Sequence, residues 1–307
     1  MYQEVSQLLM YGDLEEDSIL RQMAELFGKY ETGEYNKTGL VRDINTQVKR
    51  ILKVATDYGF DDNLWHNYLT FFLMMSENPF SMTCEKVGAS EGSVNALVEN
   101  DFRIFKALFD YDFGPIERDL GINCFSQISN YKAIHKKDLM YNKNVSEKVR
   151  SLSKKLEAAK DEKEFFDAVT GFYKDYGVGM FGLNKAFRID DTPQGGFTFR
   201  AINNMDTVML DDLVGYEIQK KKLVDNTEAF VQGKKANNVL LFGDSGTGKS
   251  TSIKAIVNQY YKDGLRMIEI YKHQFKYLSE IIADIKNRNY RFIIYMDDLS
   301  FEEFEIE

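Results

Sequence analysis

The sequence predicts a mainly α-helical N-terminal domain followed by an α/β domain with a parallel sheet. Three observations carry this expectation. Residues 1–175 repeat apolar side chains at helical spacing. From residue 205 onward, short apolar runs alternate with helical stretches, as in a parallel sheet built through crossovers. Between the two patterns, near residue 190, glycines and a proline accumulate. At 307 residues the chain is long for one core, which favours two domains. Its 44% hydrophobic and 28% charged content is that of an ordinary globular protein, and only 3 prolines suit a helix-rich one.

In the first half, EEDSILRQMAELFGKY sets Ile19, Met23, Leu26 and Phe27 on one helical face. TGLVRDINTQVKRILKVATDYG does the same with Leu40, Ile44, Val48, Ile51 and Leu52, and stops at Gly59 as a C-cap. DDNLWHNYLTFFLMM opens on two aspartates, which suit the positive end of a helix dipole. SVNALVENDFRIFKALFDYDF and SEKVRSLSKKLEAAKDEKEFFDAVTGFYKDYG complete the set, and no internal repeat of fixed period is present. The 14% aromatic residues fall mostly at core spacing, so packing is their expected task rather than base stacking. Trp65 beside His66, and His135 in YKAIHKKD, form no catalytic constellation. Residues 1–175 therefore read as a helical accessory domain.

Residues 176–204 read as a connector. Gly177, Gly179, Gly182, Pro193, Gly195 and Gly196 point to a hinge or hairpin. Beyond it, a helix is expected from about Tyr216 to Val231, then a strand at NNVLLFG and a helix at KSTSIKAIVNQYYKDG. A strand at LRMIEI, a helix at FKYLSEIIADIKNR and a strand at YRFIIYMDDLS follow.

Gly243, Gly248, Lys249 and Ser250 have the spacing G-x-x-x-x-G-K-[ST] between an expected strand and helix. Glycines let the backbone curl so that its N–H groups face phosphate oxygens, and the following helix N-terminus adds its unpaired donors. The loop Gly243, Asp244, Ser245, Gly246, Thr247, Gly248, Lys249, Ser250 and Thr251 is thus expected to hold the phosphates of ATP. Lys249 can reach the β- and γ-phosphates, and the Ser250 hydroxyl can ligate Mg²⁺. Asp297 and Asp298 emerge at the C-terminal end of an apolar strand, the edge where ligands bind in parallel sheets. Asp297 is expected to hold Mg²⁺ through its water shell, and Asp298 to polarise an attacking water. These residues alone admit an ATPase, a nucleotide-gated binding module or a small-molecule kinase.

GDSGTGKS with IIYMDD resembles the Walker A and Walker B motifs of AAA+ ATPases. DLVGYEIQKKKLVDNTEAFVQGKKANNVLLFGDSGTGKS with YRFIIYMDDLSFEE resembles, more narrowly, a bacterial group of AAA+-like proteins, domain-of-unknown-function family 815. ENPFSMTCE and YGVGMFGLNKAFR are similar to the helical part of that group. The resemblance implies an AAA+-like P-loop domain over 205–307 and places Val214 and Gly215 beside the adenine. It also implies a macromolecular client, protein or nucleic acid, that ATP hydrolysis remodels or loads, and assembly of copies through the ATPase domain. Asp298 departs from the glutamate common at that position. A sensor strand, arginine finger and lid would lie beyond residue 307, so the resemblance implies a domain cut short after the Walker B strand, inactive as written.

The formal charge of -9 argues against broad binding to nucleic acid or anionic membranes. Cys84 and Cys124 stand far apart without metal-ligand spacing, as free thiols of a reducing compartment do. The N-terminal residues lack the basic and apolar regions of a signal peptide, and YLTFFLMM is too short to span a bilayer. A cytoplasmic location is the expectation.

Overall fold

The computed structural model describes residues 1–89, 92–134, 142–203 and 205–297; His135 and Asp298 lie outside the described residues. The chain divides into two units, Met1–Leu183 and Asn184–Glu307.

The first unit is helical: α1 (Tyr2–Val5), α2 (Ile19–Thr32), α3 (Lys37–Tyr58), α4 (Leu64–Met75), α5 (Pro79–Val87), α6 (Ser93–Phe109), α7 (Gly114–Leu120), α8 (Cys124–Ser129), α9 (Lys143–Ala158), α10 (Glu162–Tyr176) and α11 (Gly179–Leu183). Their starts follow capping chemistry, in which a side-chain oxygen accepts an orphan N–H of the first turn. Ser18 accepts from Arg21, Asn36 from Gly39 and Asp161 from Glu164. The stretch 143–176 is two helices because Asp161 opens a new one. At α4 the cap is Asn63, not the preceding aspartates. Asp61 instead accepts the Ala133 N–H, and Asp62 takes a left-handed φ of 66° in a bridge to Tyr131.

The expected apolar faces form one core in which Phe27, Phe102, Phe105, Phe125 and Trp65 are fully buried. Its rings meet edge-on, as at Phe27–Tyr111, Phe27–Phe125 and Trp65–Phe113, the arrangement the aromatic quadrupole favours. Trp65 and His66 serve packing. The Trp65 Nε1 donates to the Leu108 carbonyl at 2.8 Å, and the His66 Nε2 donates to the Phe109 carbonyl at 2.8 Å. Cys84 and Cys124 are free thiols, and among the described residues no helix is long and apolar enough to cross a membrane.

The second unit is α/β. A hairpin of β1 (Ala186–Asp191) and β2 (Phe197–Ala201) is followed by α12 (Glu217–Val231), α13 (Lys249–Tyr260), β3 (Leu265–Ile270), α14 (Leu278–Ile285) and β4 (Arg291–Met296). The sheet order is β2-β1-β3-β4, antiparallel only at the hairpin. β3 is buried at nearly every position, four of its six residues being apolar, because it lies between two strands with both faces covered. Leu265 and Met267 join Ala255, Ile256 and Val257 of α13 in the core on one face, and Ile268 and Ile270 are buried on the other. The glycine-rich stretch thus contributes α11 and two strands, and β1 pairs directly with β3.

The stretch NNVLLFG forms no strand. Residues 238–242 run without regular structure, with Leu240 73% and Phe242 87% exposed. A strand is held by its neighbours' backbone groups. No strand among the described residues lies beside this stretch, and β4 is the last strand of the sheet on its side.

Candidate functional site

The loop 243–248 leads into α13, whose N-cap is Gly248. Gly243, Gly246 and Gly248 have φ values of 145°, 79° and 83°. A Cβ would meet no atom at Gly246 or Gly248, so backbone conformation rather than space calls for glycine there. Thr247 Oγ1 donates to the Asp244 carbonyl at 2.8 Å and tightens the turn. Lys249 Nζ curls back over the loop, donating to the carbonyls of Gly243 at 2.9 Å and Asp244 at 2.8 Å. The cation therefore lies over the hollow that the glycines shape.

The second component arrives from 47 residues away. Ser250 Oγ donates to the Asp297 carboxylate, 3.2 Å from Oδ2 and 3.3 Å from Oδ1. Asp297 follows the C-terminal end of β4, while Ser250 stands in the first turn of α13. The fold thus joins two residues that motif spacing identified separately. A hydroxyl and a carboxylate are hard oxygen donors that suit Mg²⁺, which takes one or two protein oxygens and completes its shell with phosphates and water. No group of three or more His, Cys, Asp or Glu side chains able to hold a metal occurs among the described residues.

Sequence reasoning missed Tyr295. Tyr295 lies on β4 two residues before Asp297, and its phenol stands beside both Ser250 and Asp297. Burial and the Asp297 carboxylate push that phenol up to about 12, against an opposing effect of the Ser250 hydroxyl, so it is neutral at ordinary pH. Missed too were the ties that hold α13. Lys254 pairs with Asp206 at 2.7 Å, and Asn258 donates to the carbonyls of Asp206 and Val208. The signal available was the polar pair Lys254 and Asn258, one turn apart on a helix that otherwise buries this side.

Ser245 and Gly246 are exposed, and Thr251 is half-buried. Val214 is 96% exposed, and Gly215 takes a φ of 87° in the turn before α12. Among the described residues no hydrogen bond links either one to the glycine loop.

Residues 183–307 match the family model described as Protein of unknown function (DUF815). Over 74 residues, 24% of this chain, the sequence is 34% identical to the replication factor C large subunit of Methanococcus vannielii. The matched stretch spans 15% of that protein. The C-terminal region is thus similar to a family of unknown function and, over a short stretch, to part of a replication factor subunit. No solved structure matches.

Proposed function

We propose that the chain carries an AAA+-like ATPase module that couples binding and hydrolysis of Mg-ATP to remodelling or loading of a macromolecular partner. The observation that carries this reading is the meeting of Ser250 with Asp297 at the foot of the glycine loop. Lys249 supplies the point charge for the β- and γ-phosphates, and the loop N–H groups with the α13 N-terminus supply neutral donors. Ser250 and Asp297 would hold Mg²⁺, which neutralises charge on the phosphates. Asp298 is assigned the water, and Val214 with Gly215 the adenine. The similarity to a subunit of a replication factor supports a macromolecular client, and assembly through this domain belongs to the same reading. The helical unit is assigned an accessory role without a catalytic group.

Titration of the whole chain with a fluorescent ATP analogue tests the reading. Saturable, Mg²⁺-enhanced binding that Lys249→Ala abolishes is expected. Equal affinity in the variant overturns it.

A further inference from the structure

Resting on the Mg-nucleotide reading, we propose that Tyr295 is a positioning residue for the metal ligands Ser250 and Asp297, braced by the Arg188–Glu269 pair.

The sheet register carries the idea. Arg200 of β2 lies opposite Arg188 of β1, Arg188 beside Glu269 of β3, and Glu269 beside Tyr295 of β4. Cross-strand partners share a face, and residues two apart on one strand share it too. One polar row therefore runs across all four strands, and Asp297 lies one step beyond it on the face that Ser250 reaches. The row is tied internally. Arg188 Nε donates to Glu269 Oε2 at 2.7 Å, and Arg200 forks onto Asp190.

The Arg188–Glu269 tie has a consequence for the phenol. Glu269 is engaged by Arg188, so the carboxylate beside Tyr295 is neutralised and the phenol proton is left for the Ser250–Asp297 pair. Packing alone would be served by phenylalanine at 295. The hydroxyl adds a donor that fixes which way the Asp297 carboxylate faces. Partners that orient metal ligands in this manner commonly change metal affinity by about 10–100-fold when lost.

The experiment uses the 307-residue chain, a fluorescent ADP analogue and a MgCl₂ titration. Wild type, Tyr295→Phe, Glu269→Gln and Asp297→Asn are compared, with ligand-free melting read alongside. Tyr295→Phe should raise the Mg²⁺ half-saturation concentration about 10-fold with little change in melting. Glu269→Gln, one contact further away, should raise it less, and it carries the test if Tyr295→Phe does not fold. A Mg²⁺ dependence shifted by Asp297→Asn but unmoved by the other two variants overturns the positioning role and leaves the site standing. Nucleotide binding that Mg²⁺ does not alter in wild type overturns both.

Discussion

In the helical unit, several polar groups that enter the core are bonded there. The fully buried Asp101 carboxylate accepts the N–H groups of Leu9, Met10 and Tyr11 at 2.8–3.1 Å. Tyr173 accepts the Tyr11 hydroxyl and donates to the Leu73 carbonyl, while Trp65 and His66 spend their ring N–H groups on α6 carbonyls. In the sheet unit the polar groups at the strand ends stay at the surface. Among the described residues Lys249 meets only carbonyls of its own loop, and Ser250 meets the carboxylate of Asp297 just past β4. The sheet unit buries polar side chains as well, Arg266 and Gln274 among them, so the contrast lies in the groups at its strand ends. Polar groups that satisfy one another inside a core stabilise a fold, whereas those at an accessible edge around the glycine loop are the ones the proposed function assigns to a ligand.

The largest effect that would break this contrast concerns Trp65, 1% exposed in the aromatic core. Trp65→Ala should destabilise the helical unit by about 3–5 kcal/mol in denaturant unfolding, with nucleotide affinity of the sheet unit kept. Loss of both at one denaturant concentration would show that the units do not fold separately. Next comes Asp101→Asn, which keeps the shape but offers three backbone donors a weaker, uncharged acceptor. A loss of about 1–3 kcal/mol is expected, read by the same method. For the sheet unit, Asp297→Asn should weaken Mg²⁺-dependent nucleotide binding about 10-fold, or about 1.4 kcal/mol. Asp298→Asn should leave binding intact and remove turnover in the full-length protein, measured by phosphate release.

The smallest effect is one of pH. Burial lowers the pKa of His66, with the Phe109 hydrogen bond opposing that shift. The unfolded chain, with imidazole near 6.5, therefore binds the proton more readily than the folded one. Stability is unaffected above that value and falls as the pH drops through it towards the lower folded value, by at most about 1.4 kcal/mol per pH unit. Unfolding midpoints between pH 7 and 5 should show a shallower slope in His66→Gln than in wild type.

Much of this was legible in the sequence. Leu265–Ile270 and Arg291–Met296 read as strands because their apolar runs are short and bounded, and Lys249–Tyr260 as a helix because the glycine loop precedes it. The stretch 238–242 misled for the same reason. Four apolar residues look like a strand, but pairing is settled by a neighbour elsewhere in the chain. The hairpin 186–201 was one of the two readings, hinge or hairpin, that Gly195 and Gly196 admitted, but its pairing with β3 left no local signal. Long-range partners left no local signal. Asp101 serves residues about 90 positions away, and Tyr295 reads as one more apolar strand residue until the packing of α13 sets Ser250 beside it.

The central claim is that the glycine loop and the end of β4 form one Mg-nucleotide site. A double-mutant cycle on Mg²⁺-dependent nucleotide affinity, with Ser250→Ala, Asp297→Asn and the pair, tests it most directly. The account predicts strong coupling, with the double variant about as impaired as the worse single one and an interaction energy of about 0.5–3 kcal/mol. Single losses that simply add would mean that Ser250 and Asp297 serve different ends, and would contradict the account.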